Sequence, residues 1–412
     1  MNPGAHPVPS RDRLVHFREL RARLDPSGDP ADAMAERYVE LPDSVSARLA
    51  AELSLAPRSA HLLTGGGGSG KTTQLLATQR LVSQVDDVRA LYIDVSKRHD
   101  IAKMVPGVVV VQVGLALASV LDNFPEARPY AKRLLEIADG YWVPGIPAIG
   151  ASDPDKNVPG LLVSPVQAAA RVENALQLLN ELLGVQRATA KHLVVMLDGL
   201  DRMTDLQGFG QLVIHDVESL TSVGVGVVLV GPWRFTFGLA RTVTEHFDSS
   251  HDQPWGDVRQ VSSGRSFFAD VLRKRVPADA FSDPAIDALV LASGGVLRDL
   301  LTLAQSACVE AYLNGADRVE TTEVAAAIDT FGRKHLQGLR PAEFEVLQRV
   351  RTKGSFVHAS EDDLALLMTR RVLECRNQGQ LRYAVHPTIE KLLRHADLAR
   401  KHDGCCSSGT AS

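Results

Sequence analysis

Short apolar runs alternate with stretches of helical periodicity from about Ala60 onward. The runs that predict strands are "AHLLT", "RALYIDV", "HLVVMLD" and "GVGVVLVG", with a weaker fifth at "VRQVS". The patterns that predict helices between them are "KTTQLLATQRLVSQ", "VQAAARVENALQLLNELL" and "FGQLVIHDVESLT", while "VVVVQVGLALASVL" fits a buried strand or a buried helix. Because parallel strands need crossover connections, this alternation predicts an α/β fold with a parallel sheet.

The pattern changes along the chain, and each change predicts a domain border. After about Pro277 the periodicity is helical throughout, and from "LRPAEFEVLQRV" two amphipathic helices precede a strand pair in "NQGQLRYAVHP", which is typical of a winged helix. The predicted segments are an N-terminal helical and partly disordered piece at 1–57, the sheet domain at 58–276 with a Gly- and Pro-rich insertion at 140–164, a small helical domain at 277–335, a winged-helix domain at 336–398 and a disordered tail at 399–412.

Composition narrows the function classes. The 412 residues carry a net charge of −4, which gives no electrostatic reason for general binding to nucleic acid or membranes. Four cysteines show no metal-ligand spacing. No run approaches the roughly 20 apolar residues of a membrane span, and the N-terminus has no apolar signal core. We expect a cytoplasmic protein that does not enter membranes.

The stretch "HLLTGGGGSGKTTQLL" contains the spacing Gly65-x-x-x-x-Gly70-Lys71-Thr72, with a predicted strand before it and a helix after it. This pattern predicts a phosphate-binding loop. Glycines let backbone N–H groups turn toward a phosphate, the lysine ammonium meets its oxygens, and the threonine hydroxyl can ligate Mg²⁺. The predicted nucleotide-binding residues are Gly65, Gly66, Gly67, Gly68, Ser69, Gly70, Lys71, Thr72 and Thr73.

A phosphate loop needs a carboxylate at the end of a neighbouring strand to hold the Mg²⁺ shell. "HLVVMLDGLDR" supplies Asp198 at the end of a predicted strand, so we assign the metal to Thr72 and Asp198. Asp201 is the nearby candidate to orient or deprotonate the attacking water, although it could equally cap the surface turn. Gly199 stands where many hydrolases of this class carry Glu, which predicts slow hydrolysis.

Together these stretches resemble the P-loop ATPases of the AAA+/STAND type, in which STAND denotes signal-transduction ATPases with numerous domains. The matching stretches are "GGGGSGKTT", "LVVMLDGLDR", "VGVVLVGPWRF", "SGGVLRDLLTLAQSA" and "YAVHPTIEKLL". The resemblance implies ATP and ADP as ligands, Mg²⁺ as cofactor and an ATPase activity, and it makes the helical domain a lid. No Asn/Thr-Lys-x-Asp motif for guanine is present, so ATP is expected by default.

The resemblance also implies three further nucleotide contacts. Arg234, after "VGVVLVG", looks like a sensor that reaches the γ-phosphate, although it could instead pack on Trp233. Arg298 in "SGGVLRDLL" resembles a second sensor, with Gly294–Gly295 as its hinge. His386 in "YAVHP" resembles the histidine that contacts the β-phosphate of ADP in STAND switches, although a histidine before Pro387 is also an ordinary helix-start residue.

Two functions remain open. In the first, the chain is a regulatory switch that hydrolyses ATP slowly and signals to a protein partner or a self-oligomer, as such proteins do in bacterial stress or anti-phage defence. In the second, it is an initiator-like AAA+ ATPase that oligomerises on DNA, with an arginine finger from Arg241, Arg273 or Arg275. The predicted recognition helix "EDDLALLMTRRVLECR" begins acidic and places Arg370, Arg371 and Arg376 late, so a protein-facing wing is favoured over DNA.

Overall fold

The computed structural model describes residues 11–28, 34, 36–41, 44–138, 165–237, 243–357, 360–377, 380–390 and 392–393. These residues divide into two compact units. The sheet unit comprises the described parts of Asp43–Gly65 and Lys71–Gln253. The C-terminal unit comprises the described parts of Met1–Pro42, the segment Gly66–Gly70 and the chain from Pro254 onward. The domain borders drawn from the sequence stay predictions, and the predicted insertion and tail lie outside the described residues.

The sheet unit is built on five parallel strands in the order β2-β3-β4-β1-β5. The strands are β1 (Ala60–Thr64), β2 (Val88–Asp94), β3 (His192–Asp198), β4 (Val225–Val230) and β5 (Ser249–Asp252). Strands β1 and β4 are buried at every position, as expected for central strands covered on both faces. The predicted α/β fold class with a phosphate-loop sheet is therefore confirmed, with β4 between β1 and β3.

Helices cover both faces of this sheet. They are α2 (Val45–Leu55), α3 (Lys71–Val82), α4 (Val108–Val120), α5 (Arg128–Ala138), α6 (Pro165–Gln186), α7 (Leu206–Leu212) and α8 (Glu218–Ser222), with one π-helical turn at Val213–Val217. The run "VVVVQVGLALASVL" is thus a helix, and its first turn donates backbone N–H groups of Gly107, Val109 and Val110 to the buried Asp216 carboxylate. That cap satisfies the orphan donors of the helix start.

The predicted fifth strand "VRQVS" is wrong. The Asp257 carboxylate accepts the backbone N–H groups of Arg259 and Gln260, so the chain turns there instead of extending. The fifth strand is β5, whose sequence Ser-Ser-His-Asp lacks an apolar pattern. It lies at the sheet edge, and among the described strands it pairs with β1 alone.

The C-terminal unit is mainly helical. Its helices are α1 (Arg11–Arg23), α9 (Ser262–Arg273), α10 (Asp283–Ala292), α11 (Leu297–Asn314), α12 (Thr321–Leu336), α13 (Pro341–Lys353) and α14 (Glu361–Met368). Helix α1 buries Phe17 and Leu20 in the same apolar core as α9 to α12. Arg13 donates to the carbonyls of Ala311, Tyr312 and Ala316, so it caps the C-terminal end of α11.

The last described elements are the antiparallel strands β6 (Val372–Asn377) and β7 (Gln380–Val385). The two helices and strand pair predicted for a winged helix are present in that order. The predicted recognition helix over "EDDLALLMTRRVLECR" is too long, because α14 ends at Met368 and Arg370 takes the left-handed conformation with φ of 60°. None of the helices in the described residues is long and apolar enough to cross a membrane.

Candidate nucleotide-binding site

The predicted phosphate-loop lysine is held inside the sheet unit. Strand β1 ends at Thr64 and helix α3 begins at Lys71, as the motif predicts. The Lys71 side chain is 6% exposed, and its Nζ donates to the Gly65 carbonyl at 2.9 Å and lies 3.0 Å from Asp201 Oδ2. A buried ammonium requires such partners, because desolvation of an unpaired charge is costly. Phosphate oxygens are negatively charged, as the Asp201 carboxylate is, and they accept hydrogen bonds as both present partners of Lys71 do.

The predicted metal ligands meet directly. Thr72 Oγ1 donates to Asp198 Oδ2 at 2.6 Å, and the Tyr92 hydroxyl donates to the same oxygen at 2.9 Å. The Gly199 N–H donates to Asp198 Oδ1 at 2.8 Å. Burial raises the pKa of Asp198 above its ordinary value, against the lowering effect of these donors. A threonine hydroxyl beside a buried carboxylate is the oxygen donor set that Mg²⁺ accepts with its water and phosphate ligands.

Replacing Gly199 by any residue with a side chain would strain the structure. Its φ is 86°, and an added Cβ would lie 2.8 Å from Ser96 Oγ and 2.9 Å from Asp94 Oδ1. Asp94 ends β2 directly beside Asp198 in the register of the sheet. The position where many hydrolases carry Glu is therefore closed to a side chain by the neighbouring strand end.

Asp201 lies in the 3₁₀ turn Leu200–Arg202 after β3, with 25% of its side chain exposed. Its contact with Lys71 brings it to the phosphate-loop end of β1, whereas a mere surface cap would not require that contact.

Two further predicted residues lie in the sheet unit. Thr73 is half-buried in the first turn of α3. Arg234 is half-buried in the 3₁₀ turn Trp233–Phe237 that follows β4, and the Gly231 N–H at the start of that connection donates to the Leu63 carbonyl of β1. Because β4 pairs with β1, Arg234 follows the strand end next to the phosphate loop.

The glycine segment Gly66–Gly70 groups with the C-terminal unit. A Cβ on Gly66 would lie 2.2 Å from the Trp255 ring, and Trp255 Nε1 donates to the Gly67 carbonyl at 3.3 Å. Gly68 has a φ of 80°, a Cβ there would lie 2.7 Å from Arg298 Cβ, and the Arg298 N–H donates to the Gly68 carbonyl at 3.4 Å. Glycine is thus required at Gly66 by the close approach of Trp255, and at Gly68 both by the backbone conformation and by the close approach of Arg298.

The predicted second sensor, Arg298, lies in the first turn of α11 with its side chain exposed. Its hinge glycines, Gly294 and Gly295, both have positive φ, and a Cβ on Gly295 would overlap the Gly256 carbonyl oxygen at 1.7 Å. In the described residues this hinge is tightly packed. Ser69, whose N–H donates to the Gly66 carbonyl, is buried, and Gly70 lies against Leu297.

His386 is fully buried and lies 3.5 Å from Asp299 through Nε2, while its Nδ1 bonds with Thr388 Oγ1 at 2.8 Å. Asp299, 1% exposed, also accepts two hydrogen bonds from the Arg370 guanidinium. Arg370 Nη1 points toward Gly67, 3.5 Å from the position of a Cβ there. The structure therefore brings Arg370 to the glycine loop, and the phosphate contact of His386 stays a prediction.

Sequence reasoning missed Tyr92, Trp255 and Arg370 as residues of this region. Their contacts join segments far apart in the chain, and no local pattern encodes them. Of the arginine-finger candidates, Arg273 pairs with Asp270 and Asp283, and Arg275 donates to backbone carbonyls. Arg241 lies outside the described residues.

No family model and no curated protein matches the chain. Among solved structures, the chain is similar to Drosophila ORC bound to DNA, with 13% identity, a TM-score of 0.43 and coverage of 97% of this chain and 95% of that one. It is also similar to the Aeropyrum pernix ORC1 protein in complex with DNA, with 17% identity, a TM-score of 0.45 and coverage of 92% and 97%. The Thermotoga maritima RuvB Holliday junction branch migration motor matches with 13% identity, a TM-score of 0.38 and coverage of 86% and 97%. Similarities this weak assign no activity to this chain.

Proposed function

We propose that this chain binds ATP with Mg²⁺ at the phosphate loop and hydrolyses it slowly, as a regulatory switch of the AAA+/STAND type. The observation that carries the proposal is the meeting of Thr72 Oγ1 with Asp198 Oδ2 at 2.6 Å beside the buried Lys71. A flexible glycine turn would not need a buried lysine at its end, nor a buried carboxylate facing the next hydroxyl.

Each residue has a defined role in this proposal. Lys71 exchanges the Gly65 carbonyl and Asp201 for the β- and γ-phosphate oxygens, and Thr72 and Asp198 hold Mg²⁺. The backbone N–H groups from Gly65 to Thr73 surround the phosphates, and the N-terminus of α3 adds its dipole. Arg234, Arg298 and His386 complete the predicted set as sensors of the bound nucleotide.

Slow hydrolysis follows from the residues around Asp198. Gly199 offers no carboxylate, and the space beyond it is filled by Ser96 and Asp94. Asp201 is left as the group that can orient water, and it must first be released from Lys71. When the lysine turns to phosphate, Asp201 becomes available as a hydrogen-bond acceptor for water. A turnover that depends on this exchange suits a switch better than a motor.

The switch needs a link from the nucleotide to the C-terminal unit, and the glycine loop supplies one. Trp255 donates to the Gly67 carbonyl and Arg298 to the Gly68 carbonyl, and Arg370 Nη1 lies 3.5 Å from the position of a Cβ on Gly67. A phosphate that reorients the loop amides would change these contacts, and the helical lid and wing would respond. A protein partner or a second copy of the chain would read that change.

The DNA-associated alternative remains a prediction. The arginines that a DNA-binding wing would offer to phosphates are bonded inside the C-terminal unit: Arg370 to Asp299, Arg371 to the His335 and Gln337 carbonyls, and Arg376 to Glu374. These contacts favour a protein-facing wing, since they already use two N–H donors of each guanidinium inside the protein.

The first experiment measures nucleotide affinity with fluorescent ATP and ADP analogues. We expect Lys71→Ala to weaken binding at least tenfold, about 1.4 kcal/mol, while Lys132→Ala, an exposed lysine on α5, leaves it unchanged. Equal affinity of the two variants would refute the nucleotide site. Denaturing the purified protein and identifying the released nucleotide tests ATP against other bases.

The second experiment separates the switch from the DNA-associated machine. Anisotropy of labelled duplex DNA is measured at physiological salt with ATP and then with ADP, since phosphate-driven affinity depends strongly on salt. Absence of ATP-dependent binding supports the switch. Tight, ATP-dependent binding with oligomerisation would overturn it in favour of the alternative.

A further inference from the structure

Two buried histidines and one glutamate converge on the sheet unit, away from the phosphate-loop residues. His61 lies on β1, His251 on β5 and Glu52 on α2. The strand register places His61 and His251 on the same face of the sheet, because Leu63 pairs with His251 and lies two residues after His61. The histidines are 2% and 7% exposed, so this cluster is part of the interior.

The three facing atoms form a nearly regular triangle. His61 Nδ1 lies 3.3 Å from His251 Nε2, His251 Nε2 lies 3.2 Å from Glu52 Oε2, and Glu52 Oε2 lies 3.4 Å from His61 Nδ1. Zinc binds histidine nitrogen and carboxylate oxygen at about 2.0–2.2 Å in a tetrahedron, which separates any two ligand atoms by about 3.3–3.5 Å. The side chains are already spaced as one face of such a tetrahedron.

Hydrogen bonds outside the triangle orient the His61 ligand atom. The Ser59 hydroxyl donates to the Ala56 carbonyl at 2.6 Å, so it accepts from His61 Nε2 at 2.7 Å. The proton is therefore on Nε2, and the lone pair of Nδ1 faces the triangle. Arg48 holds the other glutamate oxygen, Oε1, at 2.9 Å. Metal ligands are fixed by outer contacts of this kind.

Hydrogen bonding alone accounts poorly for this cluster. Glu52 Oε2 is buried and makes no hydrogen bond of acceptable geometry within the described residues, despite its two close histidine neighbours. His251 Nε2 is close enough to donate to the Nδ1 lone pair of His61, but that hydrogen bond leaves the Glu52 Oε2 oxygen unsatisfied, and a bound cation would satisfy it.

We propose that Glu52, His61 and His251 bind one transition-metal ion, zinc or a metal of similar preference, and that this ion ties β5 and α2 to β1. Two imidazole nitrogens and one carboxylate oxygen suit zinc, whereas Mg²⁺ takes oxygen ligands. The fourth position falls to water. The partly exposed Glu52, at 29%, gives the ion a path of entry.

The ion would cross-link the sheet at one of its edges. β5 is a four-residue edge strand of polar sequence, and among the described strands it pairs with β1 alone. The strand has no apolar side chains with which to pack against the core. A metal that joins it to β1 and α2 would hold it in place instead. This inference stands apart from nucleotide binding, because none of its three ligands belongs to the phosphate loop.

The test uses the full chain without a purification tag, stripped with a chelator and returned to buffer with excess Mg²⁺ to occupy the oxygen site. Calorimetric titration with Zn²⁺ should show about one bound ion, and Co²⁺ should produce the intense visible bands of tetrahedral coordination. Glu52→Gln and His251→Gln should each weaken Zn²⁺ binding at least about tenfold and remove the Co²⁺ bands.

The matched control is His246→Gln, which removes a histidine that also touches a carboxylate, Glu218 Oε1 at 2.7 Å, but belongs to no three-ligand cluster among the described residues. It should bind Zn²⁺ as the unmodified chain does. Circular dichroism shows whether each variant is folded. Because Glu52→Gln alters only a partly exposed side chain, we expect this variant to fold, and it still tests the proposal if His251→Gln unfolds. Failure of the unmodified chain to bind one Zn²⁺ tightly, or equal binding by Glu52→Gln, would overturn the proposal.

Discussion

The ion pair between Arg370 and Asp299 allows a sharp test of the C-terminal unit. Arg370 Nε donates to Asp299 Oδ2 at 2.8 Å and Nη2 donates to Oδ1 at 3.0 Å, a two-pronged contact with good geometry. Asp299 is 1% exposed and Arg370 is 20% exposed. The perturbation is the replacement of each partner alone and of both together, Arg370→Ala, Asp299→Asn and the double variant.

The burial of the two partners sets the magnitudes. Arg370→Ala leaves a buried carboxylate whose remaining ion-pair neighbour among the described residues is His386 Nε2 at 3.5 Å. Breaking a buried pair costs about 3–5 kcal/mol. Because Arg370 is partly exposed, we expect the lower end, about 3 kcal/mol. Asp299→Asn removes the buried charge and leaves an arginine that can turn to solvent, so it should cost about 1–2 kcal/mol. The double variant should fall short of the sum by about 1.5 kcal/mol or more.

The assay is urea unfolding followed by circular dichroism for the three variants and the unmodified chain. The matched control is Arg333→Ala, which breaks the exposed pair of Arg333 with Asp329 at 69% and 49% exposure and should cost less than about 1 kcal/mol. The loss of unfolding free energy caused by Arg370→Ala should be smaller in acid. Without its arginine, the buried Asp299 carboxylate is an unpaired charge, and protonation removes that charge.

The same variants connect stability with the proposed switch. Arg370 points toward Gly67, so Arg370→Ala should also weaken nucleotide binding, whereas Arg333→Ala should not. Additivity of the two single substitutions within about 0.5 kcal/mol would refute the reasoning, because it would mean that the pair does not contribute as a unit. If Arg370→Ala loses as much unfolding free energy in acid as at neutral pH, the argument from a buried, unpaired carboxylate is refuted.

Three further predictions concern the sheet unit. Asp201→Asn should raise ATP affinity roughly two- to fivefold, because Lys71 no longer has to leave a partly exposed ion-pair partner worth about 0.5–1 kcal/mol. The same substitution should slow hydrolysis in a single-turnover assay. Unchanged ATP affinity together with an unchanged hydrolysis rate would contradict the proposed role of Asp201. Gly199→Ala should destabilise the fold by about 1–3 kcal/mol in urea, because its φ is 86° and its Cβ would meet Ser96, and a neutral result would contradict the crowding. Burial raises the pKa of Asp216 from 3.8 to about 7, so the stability gained from its proton is present in acid and lost as pH rises through about 7. Asp216→Asn should remove that loss, and parallel urea stability curves for both proteins across this range would contradict it.

The sequence predicted the central strands and the motif residues because both are local signals. β1 and β3 have the predicted bounds, since each carries a run of apolar residues after a histidine and is ended by a polar residue. Lys71, Thr72 and Asp198 followed from spacing and from the rule that parallel strands end at one edge of a sheet. Their meeting within hydrogen-bond distance agrees with that rule.

The elements that the sequence did not predict depend on partners elsewhere in the chain. β5 became a strand through pairing with β1, despite its polar residues. The helix expected over "EDDLALLMTRRVLECR" stopped at Met368, after which the chain pairs β6 with β7. In the site, Trp255 and Arg370 were missed for the same reason. Local periodicity reports which face of an element is apolar, but not which distant segment will meet it.

The glycine run illustrates how one short stretch can satisfy two demands. Gly68 has a φ that side chains avoid, which is the ordinary reason for glycine in a phosphate loop. Gly66 does not have such a φ, yet a Cβ on it would overlap the ring of Trp255. Its glycine therefore serves packing against a residue almost two hundred positions later. If phosphate chemistry alone had shaped the loop, Gly66 could have carried a side chain. The requirement for glycine at this position is explained by close packing of the loop against Trp255 inside the C-terminal unit, and the proposed switch would use that packing.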